Sequence, residues 1–106
     1  MSSRKALPLK LSPKALQDIE DILRYTGETW GESQLLIYRD KIDAALLAIA
    51  QNLELGHPRG DLPPTHMAYL VGSHVIVYRV LPNKAHAASV GIVRILHQRM
   101  SLPRHV

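Results

Sequence analysis

From Ser89 to Met100 the chain reads Ser-Val-Gly-Ile-Val-Arg-Ile-Leu-His-Gln-Arg-Met, a β-branched run that ends in a basic, histidine-bearing turn. A half-exposed strand alternates apolar and polar residues with period two. Here Val90, Ile92 and Leu96 fall to one side, Val93 and Ile95 to the other, and only Arg94 interrupts. Such a strand belongs in the interior of a sheet with both faces covered. The chain must therefore supply, or recruit, two covers.

The first cover is legible upstream. Leu7, Leu9 and Leu11 alternate with Pro8 and Lys10 as a short strand, and Pro8, which has no amide proton to donate, places it at an edge. Ser12-Pro13 reads as an N-cap followed by proline at the first helical position. Leu16, Ile19, Leu23, Thr26 and Trp30 then recur at helical spacing, with Asp18, Glu20 and Asp21 on the polar side as a solvated face. Trp30 reads as a core plug where Gly31 breaks the helix. A second helix, roughly Ser33 to Asn52, carries Leu35, Tyr38, Ile42, Ala45, Leu46, Ile49 and Leu53 on one stripe. The short break predicts an antiparallel helical hairpin.

After a loop rich in Gly and Pro, the last third is all strand. Met67–Val71 and His74–Leu81 flank Gly72-Ser73, a two-residue hairpin signal with glycine first, as a type II′ turn prefers. A looser turn spans Pro82–Ala87. The fold expected is α+β, in the order β-α-α-β-β-β, with the helical hairpin packed on one face of a small, mainly antiparallel sheet. Two helices cover one face only. The other face is expected to expose a patch of interaction-site size, shielded partly by the chain's own tail and otherwise by a partner.

The 106 residues are expected to make one domain, residues 1–106; 46% are apolar and 21% charged, as in a folded globule. There is no Cys, hence no disulfide or thiolate site. No apolar run approaches the roughly 20 residues of a membrane span, and Met1–Lys5 lacks the apolar core of a signal peptide, so a cytoplasmic protein is expected. The net charge of +4 permits an acidic partner or nucleic acid without selecting either. One Trp, four Tyr and no Phe argue against a single-strand stacking surface.

The six histidines, His57, His66, His74, His86, His97 and His105, show no pairing at helix or strand spacing, so neither a metal site nor a cofactor is expected. The candidate active surface is Tyr78, Arg79, Arg94, His97 and Arg99, which hairpin geometry can bring together. Such a cluster could cleave RNA without metal, the histidine moving protons and the arginines holding phosphate. The plainer reading pairs Arg79 and Arg94 with helix carboxylates and lets His97 cap the strand. An arginine in a covered strand needs such a partner.

With these residues laid out, the chain resembles the ParE branch of the RelE/ParE toxin superfamily. The likeness runs through Ser12, Ala15, Asp18 and Ile19, Tyr25, Trp30-Gly31, Asn52, Glu54-Leu55-Gly56, Pro58-Arg59 and Asp61-Leu62-Pro63. It is most specific in Val71-Gly72, His74-Val75-Ile76, Tyr78-Arg79-Val80, Val93-Arg94-Ile95-Leu96-His97 and Arg99-Met100. Met67, Ser73 and Ser101 depart from the pattern, at positions where relatives carry arginine, another basic residue and an acid.

The resemblance implies a type II toxin held in a toxin–antitoxin hetero-oligomer by a cognate ParD-type antitoxin. It implies action on DNA gyrase by binding, with no catalytic residue, no membrane and no direct sequence-specific nucleic-acid binding. The residues expected to meet the antitoxin are Leu16, Ile19, Leu23, Ile42, Leu46, Ile49, Val75 and Val77. The alternative is a RelE-like ribosome-dependent mRNA endonuclease using His97, Arg99 and His105, although Val75 stands where that branch often presents arginine.

Overall fold

The structure, a computed structural model, describes residues 6–82 and 88–106; Met1–Lys5, His86 and all but Pro82 of the expected Pro82–Ala87 turn lie outside the described residues. Strand β1 (Leu9–Leu11) leads into helix α1 (Pro13–Trp30), then α2 (Glu32–Gln51), β2 (His66–Val71), β3 (His74–Leu81), β4 (Ser89–His97) and a short 3-10 helix (Leu102–Arg104). The sheet order is β1-β4-β3-β2, with β1 parallel to β4 and the other pairs antiparallel. The expected α+β architecture is what forms, and β4 is an interior strand.

Local chemistry sets the boundaries. Ser12 Oγ accepts the Ala15 amide at 2.9 Å, capping α1, and Pro13 occupies the first turn. Gly31, at φ 95°, both ends α1 and opens α2, a conformation that costs glycine little. The Leu7 amide donates to Ala50 O at 3.0 Å, tying the end of α2 to the start of β1. In the β2–β3 turn Gly72 has positive φ and Ser73 does not, the pattern of the expected type II′ hairpin.

One irregularity reassigns the faces of β4. Arg94 pairs with Val77 but Ile92 pairs with Tyr78, so Val93 is an extra, bulged residue. The bulge inverts the alternation beyond it. Ile95, not Leu96, therefore joins Val90 and Ile92 beneath the helices, and Leu96 packs with Val93 on the opposite side.

The helix-covered face, here the front, buries Ala15, Ile42, Ala45, Leu46 and Ile49 against Ile76, Tyr78, Val90, Ile92 and Ile95. The rear face is not left for a partner to cover. Val75, Val77, Leu96 and Ala68 are buried beneath Leu62 from the loop and Leu102 from the 3-10 helix, with Val106 alongside. The expectation of an open apolar rear face is thus corrected. Its β2 margin stays open, where Leu70 is 57% exposed beside a depression of about 430 Å³.

Candidate functional site: the groove at the hairpin tip and the free edge of the sheet

The arginine of β4 has a structural task. Arg94 Nε and Nη2 donate to the two oxygens of Asp18, each at 2.8 Å, and Nη1 donates to His105 O at 3.2 Å. Asp18 Oδ2 also accepts the Ile95 amide at 2.9 Å, and Ser12 Oγ donates to Val93 O at 2.8 Å. Beyond the end of β1, side chains of α1 thus satisfy the β4 edge that no strand pairs. The bidentate bond to Asp18 raises the Arg94 pKa further, against the opposing effect of burial. Asp18 is therefore no part of a solvated face, a correction to the reading of α1.

Tyr78 also leaves the active surface. Its side chain is fully buried, its hydroxyl donates to Leu53 O and accepts the Gly56 amide, both at 2.8 Å. A Cβ on Gly56 would lie 2.7 Å from that hydroxyl and 2.8 Å from Ala68 O, so the loop needs glycine there. Burial pushes the Tyr78 phenol pKa up, the Gly56 bond opposing. Of the five residues expected to face a target, Arg79 and Arg99 are exposed, His97 is half-buried, and Tyr78 and Arg94 hold the fold together.

The expected antitoxin contacts divide the same way. Ile42, Leu46, Ile49, Val75 and Val77 are buried core residues. Ile19 and Leu23 are partly buried, and Leu16 is 52% exposed. Sequence periodicity finds the apolar stripe of a helix but does not separate what packs inward from what is left over.

What is left over gathers at the hairpin tip. Trp30, expected as a core plug, is 69% exposed and Tyr25 is 67% exposed. Together with Ile37, Tyr38, His74 and His97 they line a groove of about 410 Å³ between the tip of the hairpin and the Gly72 end of the sheet; Lys41 and Gln34 complete its wall. Tyr38 closes the floor. Its hydroxyl donates to Val71 O at 3.1 Å, accepts the Ser73 amide at 3.3 Å and shares a hydrogen bond with His74 Nδ1.

His74 and His97 stand directly across from one another on β3 and β4, with ring centroids 5.4 Å apart and edge-on; the Tyr38 and His74 rings lie 5.5 Å apart. Spacing along the chain could not reveal this pair, because it is made by strand register. Burial lowers the His74 pKa, repulsion from His97 adds to this, and Asp18 opposes it. His97 Nδ1 accepts the Arg99 amide at 3.1 Å, fixing that ring at the strand end. Among the described residues no three His, Asp or Glu side chains gather as a metal set. The groove offers rings, two imidazoles and an ammonium, with the proton-transfer groups at one end.

Comparison with known proteins places this geometry. A model of the ParE toxin of the type II toxin–antitoxin system parDE matches residues 9–102. Toxin ParE1 of Caulobacter vibrioides is 33% identical, over 93% of this chain and 97% of its own. Toxin ParE1 of Mycobacterium tuberculosis is 32% identical over the whole of both chains. A solved chain of the chromosomal ParDE toxin–antitoxin system of P. aeruginosa shares the fold, with a TM-score of 0.69 at 18% identity, covering 87% of this chain and 96% of that one. The chain belongs to the ParE toxin family of type II toxin–antitoxin systems.

Proposed function

We propose that this toxin acts by binding DNA gyrase and trapping it on cut DNA, and that a ParD-type antitoxin holds it inactive. The observation that carries the antitoxin half is the groove at the hairpin tip. Exposed aromatic side chains rimmed by polar groups are the anchors that dominate protein interfaces. An amphipathic helix laid between hairpin and sheet would seat its apolar face on Trp30, Tyr25 and Ile37. Leu16, Ile19 and Leu23 remain as contacts on α1. The gyrase half rests on membership of the family. For that contact Arg79, Arg99 and His97 remain available, whereas Tyr78 and Arg94 do not.

A second reading, a ribosome-dependent mRNA endonuclease, is favoured by the paired imidazoles of His74 and His97 with Lys41 on the same groove wall. One paired assay separates the two. Purified chain is incubated with gyrase and supercoiled plasmid, and in parallel with translating ribosomes. Cleaved plasmid trapped on gyrase with intact mRNA is expected; cut mRNA with untouched gyrase would overturn the proposal. His97→Ala is expected to weaken growth inhibition only in part, as the loss of one contact among several, whereas complete loss of inhibition together with loss of mRNA cleavage would favour the nuclease.

A further inference from the structure

All nine carboxylate side chains lie between Asp18 and Asp61, and none occurs from Leu62 to Val106. The fold turns this linear bias into a sided one. Lys10 on β1, Gly91 on β4, Arg79 on β3 and His66 on β2 are consecutive partners in register, one row across all four strands. Leu9 and Leu11 pack into the front core, so Lys10 projects to the rear. Arg79 joins it there: both line one shallow depression of about 250 Å³ with Leu81, Gly91 and Val93. The two cations sit two strands apart, about 10 Å at the usual strand spacing. The 3-10 helix that covers the rest of the rear face ends in Arg104, and the turn before it carries Arg99.

Lys10, Arg79, Arg99 and Arg104 are exposed, and among the described residues none makes an ion pair. Of the loop carboxylates, Asp61, next to Leu62 in the rear cover, is held at both oxygens by Arg59, each at 2.9 Å. Burial lowers the His66 pKa, and the neighbouring Arg79 charge adds to this. Unopposed cations on a rigid sheet are a preformed polyanion site.

The aromatic residues say which polyanion. Tyr25, Trp30 and Tyr38 line the groove, and Tyr69 and Tyr78 belong to the front core, which accounts for the chain's one Trp and four Tyr. The rear face therefore has charge without rings. Single-stranded nucleic acid is gripped by stacking, whereas a duplex is gripped by its phosphates.

We infer that the rear face of the sheet binds the sugar–phosphate backbone of duplex DNA directly and without regard to sequence, through Lys10, Arg79, Arg99 and Arg104. This contact does not depend on gyrase, and its test contains none.

The test is fluorescence anisotropy of the full chain with a labelled duplex of about 30 base pairs, from about 50 to about 200 mM salt. Neutralising three or four phosphates predicts that log K falls with log salt at a slope of about −2.7 to −3.6. Lys10→Glu/Arg79→Glu is expected to lose about tenfold or more in affinity at the low-salt end. Arg24→Glu/Arg39→Glu makes the same change in net charge on the helices and is expected to lose much less. Lys10→Gln/Arg79→Gln, which introduces no repulsion, keeps the comparison usable if charge reversal disturbs folding. Equal losses in rear-face and helix variants would overturn the assignment. So would salt-independent binding, tighter binding to the single strand, or a preference for polyglutamate or anionic vesicles.

Discussion

The two faces of the sheet both bury an apolar centre and are covered in opposite ways. The front is roofed by two long helices whose stripes lock Ile42 and Ile49 over Ile76 and Ile92. The rear is roofed by one loop leucine and a three-residue helix, Leu62 and Leu102, with Val106 beside them. An apolar strand face demands a cover but is indifferent to its form. A thick cover carries the stability, and a thin one leaves its margins, the exposed Leu70 and a cationic row, facing outward.

The contrast is sharpest in the front core. Ile49→Ala removes a fully buried side chain from between two helices and the sheet, and should cost about 2 to 5 kcal/mol, read as a lowered urea midpoint. A cost like that of a surface substitution would mean that the helices are not the main roof. Asp18→Ala comes next, at about 3 kcal/mol, because it strands the largely buried Arg94 and removes the acceptor of the Ile95 amide. Pairing Asp18→Leu with Arg94→Met should recover much of that loss, since the cost lies in the unpaired charge. If the double variant is as unstable as the single one, the geometry of the latch and not its charge balance is what matters.

Leu102→Ala tests the thin roof. It deletes a side chain as buried as Ile49, yet the tail has no neighbouring helix to hold the cavity open and can settle inward. About 2 kcal/mol is expected, at the low end for such deletions. A loss equal to that of Ile49→Ala would make the two faces equivalent in strength.

The helices, the turns and the front cover are legible in the sequence, the rear cover is not, and what is illegible has a common cause. The Ser12 cap, the Gly31 break, the edge strand at Pro8 and the Gly72 turn all follow from rules acting within a few residues. The Val93 bulge has no such signature, and missing it put Ile95 and Leu96 on each other's faces. Arg94 could be seen to need a carboxylate, but Asp18 is 76 positions away along the chain. Leu62 and Leu102 carry no periodicity, so a rear cover made of single residues looked like no cover at all. Trp30 was misplaced because helical spacing says which stripe a residue shares, not whether the partner element extends far enough to reach it.

The histidines make a smaller, pH-dependent test. His74 faces Tyr38 and Lys41 on α2 and His97 on β4, with Asp18 acting from α1; its pKa lies below the ordinary 6.5. His66 on β2 is shifted the same way by burial and by Arg79. A base whose folded pKa is depressed costs nothing above its unfolded pKa. As pH falls through 6.5 the unfolded chain takes up protons that the folded chain refuses, so stability declines until the folded groups titrate too. Urea midpoints should therefore drop between about pH 7.5 and about pH 5.5. Asp61, held low by Arg59, acts only below its ordinary 3.8 and does not intrude. His74→Asn should flatten the decline; a variant that keeps the full slope would assign it to His66 alone.

The smallest change in stability is expected from the residue with the largest exposed ring. Trp30→Ala removes a side chain that is 69% exposed at the hairpin tip, beyond the reach of either core cluster. Substitutions of that kind usually stay within about 0.5 kcal/mol of neutral. If Trp30 is an anchor for an antitoxin helix, the same change should weaken that complex by about 2 kcal/mol or more, roughly thirtyfold, measured by calorimetry against the cognate antitoxin. The two numbers only make sense together. A tryptophan that matters to neither folding nor the antitoxin would leave the tip groove without a task, and a tryptophan that matters to folding would mean that the front roof extends further than its buried residues imply. A neutral effect on stability combined with a large loss of binding would divide the hairpin into a base that holds the sheet and a tip that holds the partner.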